Sequence, residues 1–213
     1  MNIQTQRLTL NGPAGVLEGL RDEPLHLHPA THGRGVAVIA HPHPLYGGTM
    51  NNKVVQTLAR AFVQCGFAAV RFNFRGVGAS QGVHDHGVGE VADLLAVVEQ
   101  VAPAGMPLAL AGFSFGAFAT CQAVAALWPQ RALESIVLVG TAASRFDVAP
   151  LPPEAHERTL VVHGERDDTV PLAAVMDWAR PQMLPITVVP AGDHFFHGQL
   201  TLLKHLVVRH LHA

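Results

Sequence analysis

The stretch Gly112-Phe113-Ser114-Phe115-Gly116 decides the fold, because it joins two segments of different character. Before it, Pro107–Ala111 is a short apolar run without a charge, and after it Ala117–Leu127 is helix-forming and mostly apolar. An apolar strand, a turn with serine between two glycines, and a helix form the context in which a G-x-S-x-G serine is exposed on a sharp turn. The stretch therefore predicts a serine hydroxyl presented at the edge of a sheet.

The two glycines have a steric explanation. In such a turn the residues two positions either side of the serine lie so close together that a Cβ atom would collide, which glycine avoids at Gly112 and Gly116. The free N–H groups of the helix that follows point toward the serine and favour an anionic intermediate there. The alternative is an ordinary strand–helix turn, since the pentapeptide also occurs by chance.

Composition narrows the class of protein. The 213 residues predict a single domain over 1–213, and an apolar fraction of 49% with 14% charged residues predicts a well-buried globular chain. A net charge of −2 gives no reason to expect a nucleic-acid or membrane partner. Cys65 and Cys121 lie in apolar helical stretches and are expected to be buried thiols. With no signal peptide or apolar membrane span in the sequence, we expect a soluble cytoplasmic protein.

Histidine is abundant, with fourteen residues in the chain. Three pairs, His26/His28, His41/His43 and His84/His86, have an i, i+2 spacing that a strand could offer to a metal. No cysteine or third ligand accompanies any pair at a familiar metal spacing, so we expect neither a metal site nor a cofactor.

Strands and helices alternate along the chain. A hairpin from Ile3 around Asn11–Gly15 is followed by fully apolar strands, between which amphipathic segments have helical spacing. This order predicts an α/β fold: a mainly parallel sheet with helices on both faces and an N-terminal antiparallel hairpin. The predicted strands are 35–40, 67–74, 107–111, 135–140, 159–163 and 185–189, and the predicted helices are 52–65, 91–101, 117–127, 171–180 and 200–211.

A serine hydroxyl needs a histidine base that is oriented by a carboxylate before it becomes a good nucleophile. Asp167 and Asp168 follow the predicted strand 159–163, so both lie beyond the carboxyl edge of the sheet. One of them could orient the histidine while the other is solvated or caps a helix. Alternatively, both belong to a loop without function.

The candidate base comes from the turn after the last strand. His194 lies close to the end of that strand, whereas His197 is expected near the start of the closing helix. We therefore favour His194.

An oxyanion site needs two backbone N–H donors, one from the residue after the serine and one from a loop after an earlier strand. Phe115 supplies the first. In the His41-Pro42-His43-Pro44 loop the prolines have no N–H, so the second donor is His43 or, less favoured, Leu45 or Tyr46. The side chains of His41 and His43 are expected to wall the pocket. Arg75 either contacts substrate or, in the favoured interpretation, forms a structural ion pair.

From about residue 35 to its end, the chain resembles the α/β-hydrolase superfamily, and within it the small lidless serine hydrolases related to dienelactone hydrolase and bacterial carboxylesterases. The resemblance lies in the turn around Ser114, in Gly164-x-x-Asp167-x-x-Val170-Pro171 and in Gly192-x-His194. The Arg75–Ser80 segment and the His41-Pro42 loop add to it. It implies a triad of Ser114, Asp167 and His194, and its G-x-x-D-x-x-V-P pattern selects Asp167 over Asp168.

Two features depart from the relatives. The nucleophile is serine in place of the cysteine of dienelactone hydrolase, and the His-Pro-His-Pro loop replaces the His-Gly-Gly-Gly of lipases. No segment is long enough for a cap, so Tyr46, Phe113, Phe115 and Phe195 are expected to line an open site, although core packing is an equal alternative for each.

The sequence thus predicts a serine hydrolase that acts on small-molecule carboxylic esters or thioesters through an acyl-enzyme. The alternatives are an amidase or peptidase, and a non-catalytic scaffold of the same fold used for binding.

Overall fold

A computed structural model describes residues 5–24 and 33–213. Within these residues the chain builds one eight-stranded sheet in the order β1-β2-β4-β3-β5-β6-β7-β8. The strands are β1 (Thr5–Gly12), β2 (Gly15–Asp22), β3 (Gly35–Ala40), β4 (Phe67–Phe72), β5 (Leu108–Phe113), β6 (Ser135–Val139), β7 (Thr159–Gly164) and β8 (Ile186–Val189).

The direction of the strands confirms the predicted fold class. β1 and β2 form an antiparallel hairpin, and β2 also runs antiparallel to β4. From β4 to β8 every neighbouring pair is parallel. β5 lies in the middle of the sheet, between β3 and β6, so the serine turn that follows it stands at the centre of the carboxyl edge.

Helices cover both faces of the sheet. They are α1 (Lys53–Gln64), α2 (Val88–Val101), α3 (Phe115–Leu127), α4 (Leu172–Ala179) and α5 (Leu200–His212), with 3₁₀ turns at Pro44–Tyr46, Pro153–Arg158 and Arg180–Gln182. α1 and α5 bury their apolar sides against one face. α2, α3 and α4 do so against the other. Because both faces are covered, all residues of β5 are buried, which explains its uninterrupted apolar sequence.

The start of α2 and the end of β4 differ from the prediction, and hydrogen bonds explain both differences. α2 begins at Val88, earlier than predicted, because the Glu90 carboxylate accepts N–H groups of Asp85 and Gly87 and so stabilises an earlier first turn. β4 ends at Phe72, before the predicted end at 74, because the N–H of Phe74 donates to the His41 side chain and not to a strand.

Two sequence predictions fall outside the described residues: the first residues of the hairpin from Ile3, and the His26/His28 pair. Cys65 and Cys121 are buried, as predicted. Over residues 5–24 and 33–213, the helices are all too short or too polar to cross a membrane.

Candidate active site

Ser114 occupies a backbone conformation that residues with a side chain rarely adopt. Its φ is 58° and its ψ is −117°, and such conformations persist only where the surrounding structure holds them. Here the Ser114 N–H donates to the carbonyl of Val139 at 2.8 Å, and the Ser114 carbonyl accepts the N–H groups of Ala117 and Phe118. The turn is therefore held on one side by β6 and on the other by the first turn of α3.

Gly112 is needed for the reason that the sequence suggested, its closeness to Gly116, whereas Gly116 is needed because the end of β3 approaches it. A Cβ atom on Gly112 would lie 2.2 Å from the carbonyl oxygen of Gly116, and one on Gly116 would lie 2.3 Å from that of Ala40. Both distances are far below van der Waals contact, and the opposing atoms are backbone. The absence of side chains thus lets the end of β3 approach the serine turn.

We expect Gly116→Ala to lower the free energy of unfolding by about 3 kcal/mol or more, because the new methyl group would press on backbone atoms that cannot rotate away. Gly105→Ala is the matched control: its φ is +87° but no atom lies within 4 Å of the new Cβ. It should cost only about 1 kcal/mol, from the left-handed backbone. Urea denaturation of both variants measures the difference, and equal losses would contradict the steric explanation.

The structure brings Ser114, His194 and Asp167 together although they are distant in sequence. His194 Nδ1–H donates to Asp167 Oδ2 at 2.6 Å, and His194 Nε2 lies 3.0 Å from Ser114 Oγ. Because Nδ1 carries the hydrogen that faces the carboxylate, the lone pair of Nε2 faces the serine hydroxyl. This is the geometry of a nucleophile, a base and the group that orients the base.

Asp167 is selected over Asp168 by its position in the turn after β7. Its Oδ1 accepts the N–H groups of Thr169 at 3.0 Å and Val170 at 2.7 Å, which leaves Oδ2 facing His194. Asp168 is exposed, and within residues 5–24 and 33–213 its carboxylate accepts a hydrogen bond from the Thr169 hydroxyl alone, at 3.3 Å. The local hydrogen bonds of the turn therefore direct one carboxylate into the site and the other into solvent.

The acid turn and the histidine turn are joined by backbone contacts. The N–H of Arg166 donates to the carbonyl of Gly192 at 2.8 Å, and the N–H of Ala191 donates to the Glu165 carboxylate. A Cβ on Gly164 would lie 2.4 Å from the Gly192 carbonyl oxygen, so only glycine permits this approach. These contacts set the separation of Asp167 and His194.

The imidazole of His194 packs against Phe113 and Gly140. The Phe113 ring lies 4.9 Å from it between centroids, and Gly140 packs on it so closely that a Cβ there would be 3.3 Å from Cε1. Phe113 is completely buried. The prediction that Phe113 lines the substrate pocket is therefore wrong: the alternation of β5 directs the ring into the core beneath His194.

His197 lies apart from Ser114. It precedes α5 on an exposed turn, where its Nδ1 is 2.7 Å from Asp193 Oδ2. Asp193 also accepts the N–H groups of Phe195 and His197, and these bonds lower the pKa of its carboxyl against the opposing effect of desolvation. The pair closes the turn that carries His194.

Sequence reasoning missed His163, the buried histidine near the end of β7. Its Nε2–H donates to the carbonyl of Val170 at 2.9 Å, and the same nitrogen is 3.5 Å from Asp167 Oδ2. Burial lowers its pKa, against the opposing effect of Asp167. Its place directly before the acid turn was the one available signal, since a polar residue in a fully buried strand needs a partner.

The hydrogen bonds of the loop after β3 distinguish the candidate oxyanion donors. The Leu45 N–H donates to His43 Nδ1 at 3.2 Å, and the Tyr46 N–H donates to the His43 carbonyl at 3.1 Å. Both are therefore occupied. The N–H groups of His43 and Phe115, by contrast, enter no hydrogen bond between residues of the described chain.

Aromatic rings and imidazoles surround the His43 side chain. The centroid of its ring lies 4.6 Å from that of Tyr46, 4.9 Å from His84 and 5.0 Å from Phe115. Phe146, which sequence reasoning missed because it lies in a loop without periodicity, is 5.9 Å away. Burial and the nearby His84 lower the pKa of His43, the first cause being the larger.

The remaining predicted site residues are partly exposed or structural. Tyr46 is 82% exposed and Phe195 is 44% exposed, so both rings are accessible. The Phe115 ring is buried, so core packing, the alternative to lining an open site, holds for it. Arg75 forms the expected ion pair, with its Nη2 2.7 Å from Asp93 Oδ1. His41 is fully buried, so the prediction that its side chain walls the pocket is wrong.

The histidine pairs do not assemble a metal site in the part of the chain that the structure describes. There, no three His, Cys, Asp or Glu side chains are arranged to hold a metal ion. His84 instead has its Nδ1 2.8 Å from the buried Glu90 carboxylate.

The central parallel sheet, with a strained serine turn at its carboxyl edge, defines the class of α/β serine hydrolases. A family model and solved structures agree with this class. Residues 33–152 match the family model described as serine aminopeptidase, S33. A solved α/β serine hydrolase without lid from Xanthomonas campestris is 36% identical, with a TM-score of 0.85 over 100% of this chain and 95% of that one.

Two further relatives are similarly close. An α/β serine hydrolase homologue from Coxiella burnetii is 39% identical, with a TM-score of 0.79 over 96% of each chain. An uncharacterised protein of Rickettsia prowazekii is 41% identical over 121 residues, which cover 55% of this chain and 49% of that relative. The chain thus spans about half the length of this curated relative.

The chain belongs to the lidless α/β serine hydrolase family. The finer likeness to dienelactone hydrolase stays a prediction.

Proposed function

We propose that the protein hydrolyses carboxylic esters or thioesters of small to medium acyl groups through an acyl-enzyme on Ser114. The observation that carries this proposal is the hydrogen-bonded series from Asp167 Oδ2 through His194 to Ser114 Oγ, with distances of 2.6 and 3.0 Å. That series supplies the base and the orienting carboxylate that a serine nucleophile requires.

In the acylation step, Ser114 Oγ forms a bond to the ester carbonyl carbon while its proton passes to His194 Nε2. The carbonyl oxygen becomes an oxyanion, which the N–H groups of Phe115 and His43 bind. The imidazolium is stabilised by Asp167. When the bond to the leaving alkoxide breaks, His194 returns the proton to it.

Deacylation repeats the sequence with water. His194 removes a proton from the water, the hydroxide attacks the acyl carbon, and the proton returns to Ser114 Oγ as the acid leaves. The two oxyanion donors are again needed, because the charge develops on the same oxygen. Each turnover thus consumes one water and needs no cofactor.

An aminopeptidase is the second candidate, because the matching family model is described as a serine aminopeptidase. Such an enzyme needs an anionic group for the substrate's free ammonium. The charged and titratable groups that act on His43 are His84, His86, Arg145 and Glu90. Glu90 is fully buried, and its oxygens already accept backbone N–H groups. None of the groups that act on His43 is thus a free carboxylate that could bind an ammonium, which favours a substrate without one.

The exposed rings near the site support an acyl group of small or medium size. Tyr46 is largely exposed beside His43, and Phe195 is half exposed beside His194. Apolar rings that remain accessible gain free energy when an alkyl or aryl group covers them.

Two measurements on the wild-type protein test the proposal. A fluorophosphonate probe should add one phosphonyl group to Ser114, located by mass spectrometry of the digested protein. A panel of p-nitrophenyl esters, thioesters and aminoacyl p-nitroanilides should show turnover of the first two classes and little of the third. Preference for the anilides would establish the aminopeptidase, and an unlabelled, inactive protein would indicate a binding scaffold.

A further inference from the structure

His41 is a completely buried histidine that the proposed mechanism does not use. It follows β3 directly and lies at the base of the loop whose His43 N–H is the second oxyanion donor. A buried polar side chain is retained at a free-energy cost unless its hydrogen-bonding groups are satisfied. The partners of its two ring nitrogens therefore indicate what the residue does.

Both ring nitrogens of His41 form hydrogen bonds: one nitrogen accepts and the other donates. The N–H of Phe74 donates to Nε2 at 3.0 Å, so Nε2 is the unprotonated nitrogen. Nδ1 then carries the hydrogen and donates to the carbonyl of Pro42 at 2.6 Å. Burial lowers the pKa of His41 to about 4, so the ring is neutral near pH 7 and keeps this single tautomer.

The Pro42 carbonyl and the His43 N–H belong to one peptide group. Because a trans peptide is planar, the two bonds point in opposite directions. A hydrogen bond that holds the Pro42 oxygen on the His41 ring therefore also sets the direction of the His43 N–H.

The carbonyl of this peptide is also in close contact with Gly48. A Cβ on Gly48 would lie 2.0 Å from the Pro42 oxygen, so the backbone there packs directly on the carbonyl. The Gly48 N–H also donates to the His43 carbonyl at 3.0 Å. The carbonyl of the peptide between Pro42 and His43 is thus held by the His41 imidazole and by the close backbone of Gly48.

We propose that His41 is a positioning residue of the oxyanion site, which orients and polarises the His43 N–H through the Pro42 carbonyl. The donors from Phe74 to His41, from His41 to Pro42, and from His43 to the oxyanion all point along one series. Hydrogen bonds in such a series strengthen one another, so the His43 N–H becomes a better donor. The inference rests on the proposed function, because it needs an oxyanion at that N–H.

Two amide variants test the hydrogen bonds of the two His41 ring nitrogens one at a time. In His41→Asn, the side-chain amide reaches the Nδ1 position and can donate to Pro42, but the acceptor for Phe74 is lost. In His41→Gln, the amide oxygen reaches the Nε2 position and can accept from Phe74, but no donor faces Pro42. His41→Leu removes both bonds. His210→Leu is the matched control, because its Nε2 also bonds a backbone carbonyl, that of Arg158 at 3.2 Å, near the far end of α5.

The measurements are kcat and KM for p-nitrophenyl acetate, the rate of Ser114 phosphonylation by a fluorophosphonate, and the urea midpoint of each variant. We expect His41→Gln to lower kcat and the phosphonylation rate about 10- to 100-fold, less than the 10²–10³-fold loss for a missing donor. For His41→Asn, both kcat and the phosphonylation rate should stay within about 5-fold of wild type. KM should change little, and His210→Leu should match wild type.

The outcomes separate this inference from the proposed function. If wild type is active and His41→Asn loses as much kcat as His41→Gln, or if kcat simply follows the urea midpoints, His41 has only a structural role. If His41→Leu does not fold, the comparison of the asparagine and glutamine variants decides the question. If wild type neither turns over esters nor reacts with the probe, the proposed function fails and the oxyanion role of His41 fails with it.

Discussion

Ser114→Ala is expected to lower kcat for p-nitrophenyl acetate on the order of 10⁶-fold, the scale seen when a hydrolase loses its nucleophile. Alanine has no atom that can bond to the carbonyl carbon, so no acyl-enzyme forms. The residual rate should come from the oxyanion donors and substrate binding alone. Fluorophosphonate labelling should disappear together with the turnover.

The fold should survive this substitution, because the turn is held by backbone bonds. The Ser114 N–H and carbonyl keep their partners, and among the described residues the lost hydroxyl is hydrogen-bonded to His194 alone. Thermal unfolding followed by circular dichroism should therefore give a midpoint close to wild type. Ser144→Ala, at an exposed serine outside the triad, is the matched control and should retain full activity. Substantial hydrolysis by a folded Ser114→Ala protein would reject the proposed nucleophile.

Asp167→Asn is expected to lower kcat about 10⁴-fold while the protein stays folded. The acid turn determines how the new amide must lie. Since the N–H groups of Thr169 and Val170 need an acceptor, the amide oxygen takes the Oδ1 position. The amide NH₂ then faces His194 Nδ1 and can only donate to it. The histidine is forced to carry its hydrogen on Nε2, where it cannot accept the proton of Ser114.

Asp168→Asn is the matched control for this substitution, because it makes the same chemical change one residue away. Asp168 is exposed and its carboxylate accepts only a weak bond from Thr169. We expect this variant to keep wild-type kcat within about 2-fold, the range of a surface change of roughly 0.5 kcal/mol. Steady-state kinetics on both variants decides the assignment, and a larger loss at Asp168 would reverse it.

The features of the fold that the sequence predicted depend on residues close together in the chain. Gly112 and Gly116 are required by contacts within a few residues of the turn and with the adjacent strand end, so their spacing, together with the apolar strand before them and the helix after them, indicated a strained serine. The apolar strands were evident because a sheet covered on both faces leaves few polar positions. The hairpin was likewise marked by Asn11–Gly15.

The parts that were missed depend on neighbours distant in sequence. Phe113 has the character of a pocket residue in the sequence, yet strand alternation turns its ring into the core beneath His194. Phe146 reaches His43 from a loop without periodicity. His41 was expected at the surface of the pocket, but its ring is enclosed by Phe74 and Pro42.

By itself the sequence determined the class of fold, the serine turn and the short list of residues that could act with Ser114, because these depend on hydrophobic pattern and on backbone sterics within a few residues. Only the tertiary structure decided which partners meet. The hydrogen bonds of one turn direct Asp167 rather than Asp168 toward His194, and those of another loop occupy every second-donor candidate except the His43 N–H. Such choices depend on distances and bond directions between segments far apart in the chain, which a linear pattern of residues does not contain.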